Sequence, residues 1–156
     1  MIQRIQTLYL LLATALMSLT LFMPLATIWC GTEEVVVKAF SADVASFSFN
    51  VPLPLYLGIL LSLATLLPFI TIFLFKKRMA QIRLCVSEIV LLVGSVAFIA
   101  LYCYRLCDIL ADTMKDLNFT LGFAALMPLV AIIFVVLTMR GVARDEALVR
   151  SLDRIR

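Results

Sequence analysis

Few side chains in this sequence could do chemistry, and the first is Glu88, a carboxylate inside the run RLCVSEIVLL at 83–92 that otherwise reads as membrane filling. An ionisable group in a lipid-embedded helix serves a proton or ion path, or forms half of an ion pair. Ser95 and Tyr102 follow Glu88 at seven-residue steps and extend it into a broken polar stripe. Cysteine is the second set. Cys85 lies close to Glu88 and reads as a small packing residue, whereas Cys30, Cys103 and Cys107 fall at the opposite boundary. A bond from Cys30 to Cys103 or Cys107 would be a structural disulfide, and the C-x-x-x-C pair is a weak substitute for the C-x-x-C of thiol exchange. Histidine is absent, which removes Ser-His-Asp and Cys-His nucleophiles, imidazole metal sites and histidine-ligated haem. The five glycines form neither G-x-x-x-x-G-K nor G-x-G-x-x-G, so a standard phosphate cradle is missing too. No catalytic residue, metal ligand or cofactor is assigned.

The elements that must hold these residues follow from composition. Of 156 residues 64% are hydrophobic and 15% charged, with a mean hydropathy of +1.13, far outside the range of a water-soluble domain. A bilayer core about 30 Å thick takes roughly 20 apolar residues of helix. Four stretches qualify: 8–29, 52–75, 84–104 and 121–139. The first is too long for a signal-peptide core and lacks an A-x-A-like site, so it is expected to be retained. Trp29 before Cys30 also excludes a lipoprotein cleavage site, which needs a small residue there. The expected fold is an all-α membrane protein: one four-helix bundle, with a small extracytoplasmic β-hairpin between the first two spans and a cytoplasmic amphipathic helix at its C-terminus.

Orientation follows from the basic residues, which stay on the cytoplasmic side of short loops. Arg4, the 76–83 loop with Lys76, Lys77, Arg78 and Arg83, and the tail 140–156 with Arg140, Arg144, Arg150, Arg154 and Arg156 share one side. The loops 30–51 and 105–120 hold only Lys38, Arg105 and Lys115 against six acids. Both termini are therefore expected in the cytoplasm. The net charge of +3 reflects this asymmetry; its counter-charge is anionic lipid headgroups on the cytoplasmic face, and no nucleic-acid partner is implied.

Within the first outer loop, ASFSFNV alternates apolar and polar side chains, and EVVVKAF upstream is β-branched, so the two are expected to pair as a hairpin across SADVA. Such a hairpin needs the bundle or a partner beneath it. In the second loop Asp108, Asp112 and Asp116 line one helical face and Leu106, Ile109, Leu110, Met114 and Leu117 much of the rest, which predicts that the third span continues as an amphipathic helix. In the tail, Leu148, Leu152 and Ile155 recur at helical spacing among Arg144, Arg150, Arg154 and Arg156, as in a helix lying on the inner membrane surface or docking on a partner.

Three stretches, MIQRIQTLYLLLA, IFLFKKRMAQIRLC and RGVARDEALVRSLDRIR, resemble the landmarks of a bacterial family of small four-span inner-membrane proteins known only as a domain of unknown function. The resemblance covers essentially the whole chain. It implies a Gram-negative inner membrane and one compact domain, and it carries no activity, cofactor or site residue. All three landmarks fall on the expected cytoplasmic side, where specific contacts are inferred.

Glu88 follows Arg83 by five residues, about 7 Å of helix. It is thus expected near the cytoplasmic helix ends, in a structural ion pair with Arg4, Lys76 or Arg140. These readings converge on a non-enzymatic subunit, scaffold or assembly factor of a larger membrane complex, with a membrane-protein partner. The alternatives are a thiol-disulfide oxidoreductase using Cys30, Cys103 and Cys107, and a small oligomeric transporter or channel using Glu88.

Overall fold

A computed structural model of the chain describes residues 2–30, 33–44, 54–74, 78–111 and 117–153; the side chains of residues 2–4, 30, 33, 43, 44, 78, 117, 150, 152 and 153 are not described. Four α-helices dominate: α1 (Ile2–Phe22), α2 (Leu55–Phe73), α3 (Arg78–Ala111) and α4 (Met127–Asp153). Each is long and apolar enough to cross a membrane. α1 packs on α2 and α4, and α3 on α2 and α4, so the helices form a four-cornered ring in which chain neighbours are spatial neighbours.

One spacing explains the bundle. Buried positions on α1 are Gln6, Leu10, Ala13, Met17 and Thr20; on α2 they are Leu57, Leu61, Ala64, Pro68 and Thr71, with Gly58 beside Leu57. α3 buries Gln81, Cys85, Glu88, Leu92, Ser95 and Ile99, and α4 buries Ala131, Val135, Thr138 and Val142. Every seam alternates steps of four and three residues, the 3.5-residue repeat of left-handed helix packing. Between lipid-embedded helices that packing depends on close approach, and Ala13, Ala64 and Ala131, all fully buried, permit it. Hydroxyls inside the bundle are satisfied on their own helices: Thr20, Thr71 and Thr138 each donate to the carbonyl four residues back, at 2.8–3.0 Å.

The connections at one end are strands. β1 (Ala26–Cys30), β2 (Glu33–Val37), β3 (Ala42–Val44) and β4 (Leu117–Leu121) form one antiparallel sheet in the order β3-β2-β1-β4. This corrects the expected boundaries. The apolar stretch read as a helix from 8 to 29 ends at Phe22, because Pro24 follows and Thr27, Ile28 and Trp29 suit a pleated surface better than a helix. The stretch beginning at 121 likewise enters its helix only at Met127, after β4 and a short 3₁₀ turn, Phe123–Leu126. Pro128, second in α4, costs no helical hydrogen bond there.

The expected hairpin between the first two spans is present as β2 and β3, but its second strand starts within SADVA and it is part of a larger sheet. β2 pairs with β1 and β3, and the strand completing the sheet comes from the other connection; ASFSFNV at 45–51 lies outside the described residues. α3 does continue past the expected end of its span, to Ala111, burying Leu106 and Leu110, but Leu117 belongs to β4 rather than to that helix. At its other end α3 absorbs residues 78–83, expected as loop.

Ile28 faces Val35 and Ala26 faces Val37 across the β1–β2 ladder, and all four are buried, so this row forms the face turned to the core. Two glycines let the sheet seat on the bundle. A Cβ on Gly122 would lie 2.8 Å from the Leu25 carbonyl oxygen, and the Gly122 amide donates to that oxygen at 2.9 Å. A Cβ on Gly58 would enter the ring of Phe40 and lie 2.8 Å from the Ala39 carbonyl oxygen, which places the β2–β3 turn directly on α2.

Candidate functional site

At the end of the bundle opposite the sheet, polar side chains collect inside the seams. Gln6 on α1 is 6% exposed and Gln81 on α3 is 5% exposed. The Gln6 Nε2 donates to Asp145 Oδ2 at 2.8 Å, joining positions 139 residues apart. Gly141 makes room for this: a Cβ there would stand 3.1 Å from the Gln6 nitrogen. We predict that Gln6→Ala costs about 1 kcal/mol in detergent unfolding, the net worth of one hydrogen bond. A double-mutant cycle with Asp145→Ala should return a coupling of about 0.5–1.5 kcal/mol; strict additivity would show that the bond contributes nothing.

Glu88 stands two turns above Gln81 on the same face of α3 and is 0% exposed. Among the described residues neither carboxylate oxygen meets a hydrogen-bond partner. Ser95, seven residues further on, escapes this problem by donating its hydroxyl to the Leu92 carbonyl at 2.7 Å. An ionised carboxylate has no such recourse, because it only accepts and the amides of a helix interior are already engaged. Burying that charge without a counter-charge or a proton is expensive.

The expected clasp is therefore corrected in part: Arg140 is exposed on α4 and does not pair with Glu88, while the side chains of Arg4 and Lys76 lie outside those described. Glu88 is the tenth residue after Arg78, the start of α3, about 15 Å along the helix. Gln6 and Gln81 were not singled out from the sequence. The signal existed, since Gln81 precedes Glu88 by the same seven residues that separate Glu88 from Ser95.

The remaining candidates are spread out. Cys103 is buried and Cys107 half-buried near the sheet end of α3, both outside any disulfide, so neither is joined to Cys30, whose own side chain is not described. Among the described residues no group of three or more His, Cys, Asp or Glu could hold a metal ion. The tail is corrected in shape: it does not fold back as a separate surface helix but continues α4 without a break to Asp153, with Arg144 and Leu148 exposed. Arg150 and Leu152 belong to the same helix, and Arg154, Ile155 and Arg156 lie beyond the described residues.

A family model described as "Domain of unknown function (DUF4293)" matches residues 2–155. No curated protein matches the chain.

Proposed function

We propose that this chain, which belongs to the DUF4293 family, is a non-enzymatic subunit, scaffold or assembly factor of a larger membrane complex, seated in a bacterial inner membrane with both termini in the cytoplasm. The observation that carries the reading is the stem of α4. Among the described side chains Val142 is the last buried one of that helix, yet the helix runs on to Asp153 with Ala143, Arg144, Ala147, Leu148 and Val149 exposed. A helical segment of about eleven residues is marginal in water unless something covers its apolar side. Leu148 at 59% exposure offers that side to a partner. Sidedness rests on the basic residues, which crowd the terminal end and are sparse at the sheet end.

The test is native purification of the full chain in nanodiscs, tagged away from the tail, with the mass and composition of the particle as the readout. A stoichiometric companion protein that is lost on Leu148→Asp, with thermal unfolding unchanged, is the expected result. A lone particle from the wild-type chain would sink the proposal. Replacing Cys30, Cys103 and Cys107 together by serine should leave the companion bound, whereas a thiol oxidoreductase would be abolished. Burial of Cys103 already counts against exchange chemistry, which needs access to the thiolate.

A second reading, a small transporter or channel, is favoured by Glu88, a fully buried carboxyl on a seam with Gln81 and Ser95. It requires flux in liposomes that Glu88→Gln stops without unfolding the protein.

A further inference from the structure

The sheet end carries a feature that no assembly role uses. Between the start of α2 and the last third of α3 lies a groove of about 310 Å³, lined by Tyr56 and Leu57 on one side and by Phe98, Leu101, Tyr102 and Arg105 on the other. The α3 residues fall at spacings of three, four and seven from Phe98 and so form one stripe along the helix. Its lower part is apolar, and Arg105 is the one charged group among its described lining residues.

The depth of that charge follows from helix geometry. Arg83 and Arg105 are both exposed on α3 and stand 22 residues apart, about 33 Å, close to the thickness of a bilayer core. If Arg83 marks one headgroup level, Arg105 marks the other. Phe98 then lies seven residues, about 10 Å, further into the hydrocarbon. Tyr56, 82% exposed, stands at the mouth, where an amphipathic ring is at home. Arg105 is also one of few bases at an end rich in acids, and it is exposed there. A planar guanidinium offers two parallel donors that match a phosphate.

We propose that this groove holds one acyl chain of an anionic glycerophospholipid whose phosphate sits against Arg105. The apolar stripe takes the tail of any phospholipid, so tail burial gives retention without choice. Headgroup selection falls to Arg105, because a zwitterionic lipid brings its own cation beside the phosphate and an anionic one does not. The proposal rests on the bundle standing in a bilayer and on no protein partner, so it can be tested on a lone particle.

The experiment is native mass spectrometry of the full chain released from nanodiscs containing equal phosphatidylglycerol and phosphatidylcholine, counting the lipids that stay bound. The wild-type chain is expected to retain phosphatidylglycerol over phosphatidylcholine by about fivefold, the factor one arginine at an anionic surface supplies. Arg105→Gln should bring that ratio close to one, while Arg144→Gln, at the opposite end, should leave it unchanged. Leu101→Trp, at an exposed position where the larger ring is accommodated, should fill the groove and remove the retained lipid of both kinds. An undiminished preference in Arg105→Gln, or undiminished retention in a folded Leu101→Trp, would overturn the proposal.

Discussion

Gly122→Ala is expected to lower the stability of the protein by about 3 kcal/mol or more, one of the largest effects of any single methyl group in the chain. The added Cβ would lie 2.8 Å from the Leu25 carbonyl oxygen, with the Pro24 carbonyl oxygen also in its way. Both obstacles are backbone, so no side chain can rotate aside. The same Leu25 residue is fixed at its other polar group, its amide donating to the Val37 carbonyl at 2.8 Å. Relief therefore requires moving β1 relative to either β2 or β4. Gly58→Ala meets a softer obstacle in the ring of Phe40 and a hard one in the Ala39 carbonyl, and should cost about 2 kcal/mol. Gly94 is the control: nothing lies within 4 Å of its added Cβ, and alanine there should be neutral or stabilising by up to about 1 kcal/mol. Thermal or steric-trap unfolding of the three variants measures the series. Equal behaviour of Gly122→Ala and Gly94→Ala would mean that the sheet does not seat on the bundle as described.

The second large effect has the opposite sign. Glu88→Met should raise stability by about 1–3 kcal/mol, because methionine fills much the same volume and removes a buried polar group that has no partner among the described residues. Glu88→Ala should lower it by about 2 kcal/mol through the cavity it leaves, and Glu88→Lys should lower it further. A loss of stability in Glu88→Met would show that the carboxylate has a stabilising partner in the bilayer, and would weigh against an unpartnered acid. A natural chain that keeps a residue worth replacing keeps it for something other than stability. That is why flux, assembly and unfolding all have to be read on the same variant.

The polar seam shows how a site can be half legible. Glu88 and Ser95 stand out because each is an isolated polar residue in an apolar run, and seven-residue spacing puts them on one face whatever surrounds them. Gln81 obeys the same spacing but hides beyond a cluster of basic residues that reads as loop. Gln6 and Asp145 cannot be paired from the sequence at all, since nothing local links two positions 139 residues apart. Whether Glu88 has a partner is equally non-local, because it depends on what α2 and α4 place opposite it.

Legible in the chain alone were the four long apolar helices and the unequal distribution of charge between the two ends. These are properties of composition along the chain, and a bilayer reads composition directly. Tertiary structure decided where the helices stop and what closes the sheet end. Residues 26–29 run on from the apolar first span, so hydropathy assigns them to that helix, and 117–120 read as part of the loop after the third span. They become strands because β1 finds β2 on one side and β4, about ninety residues later, on the other, and only that pairing satisfies their backbone groups outside a helix.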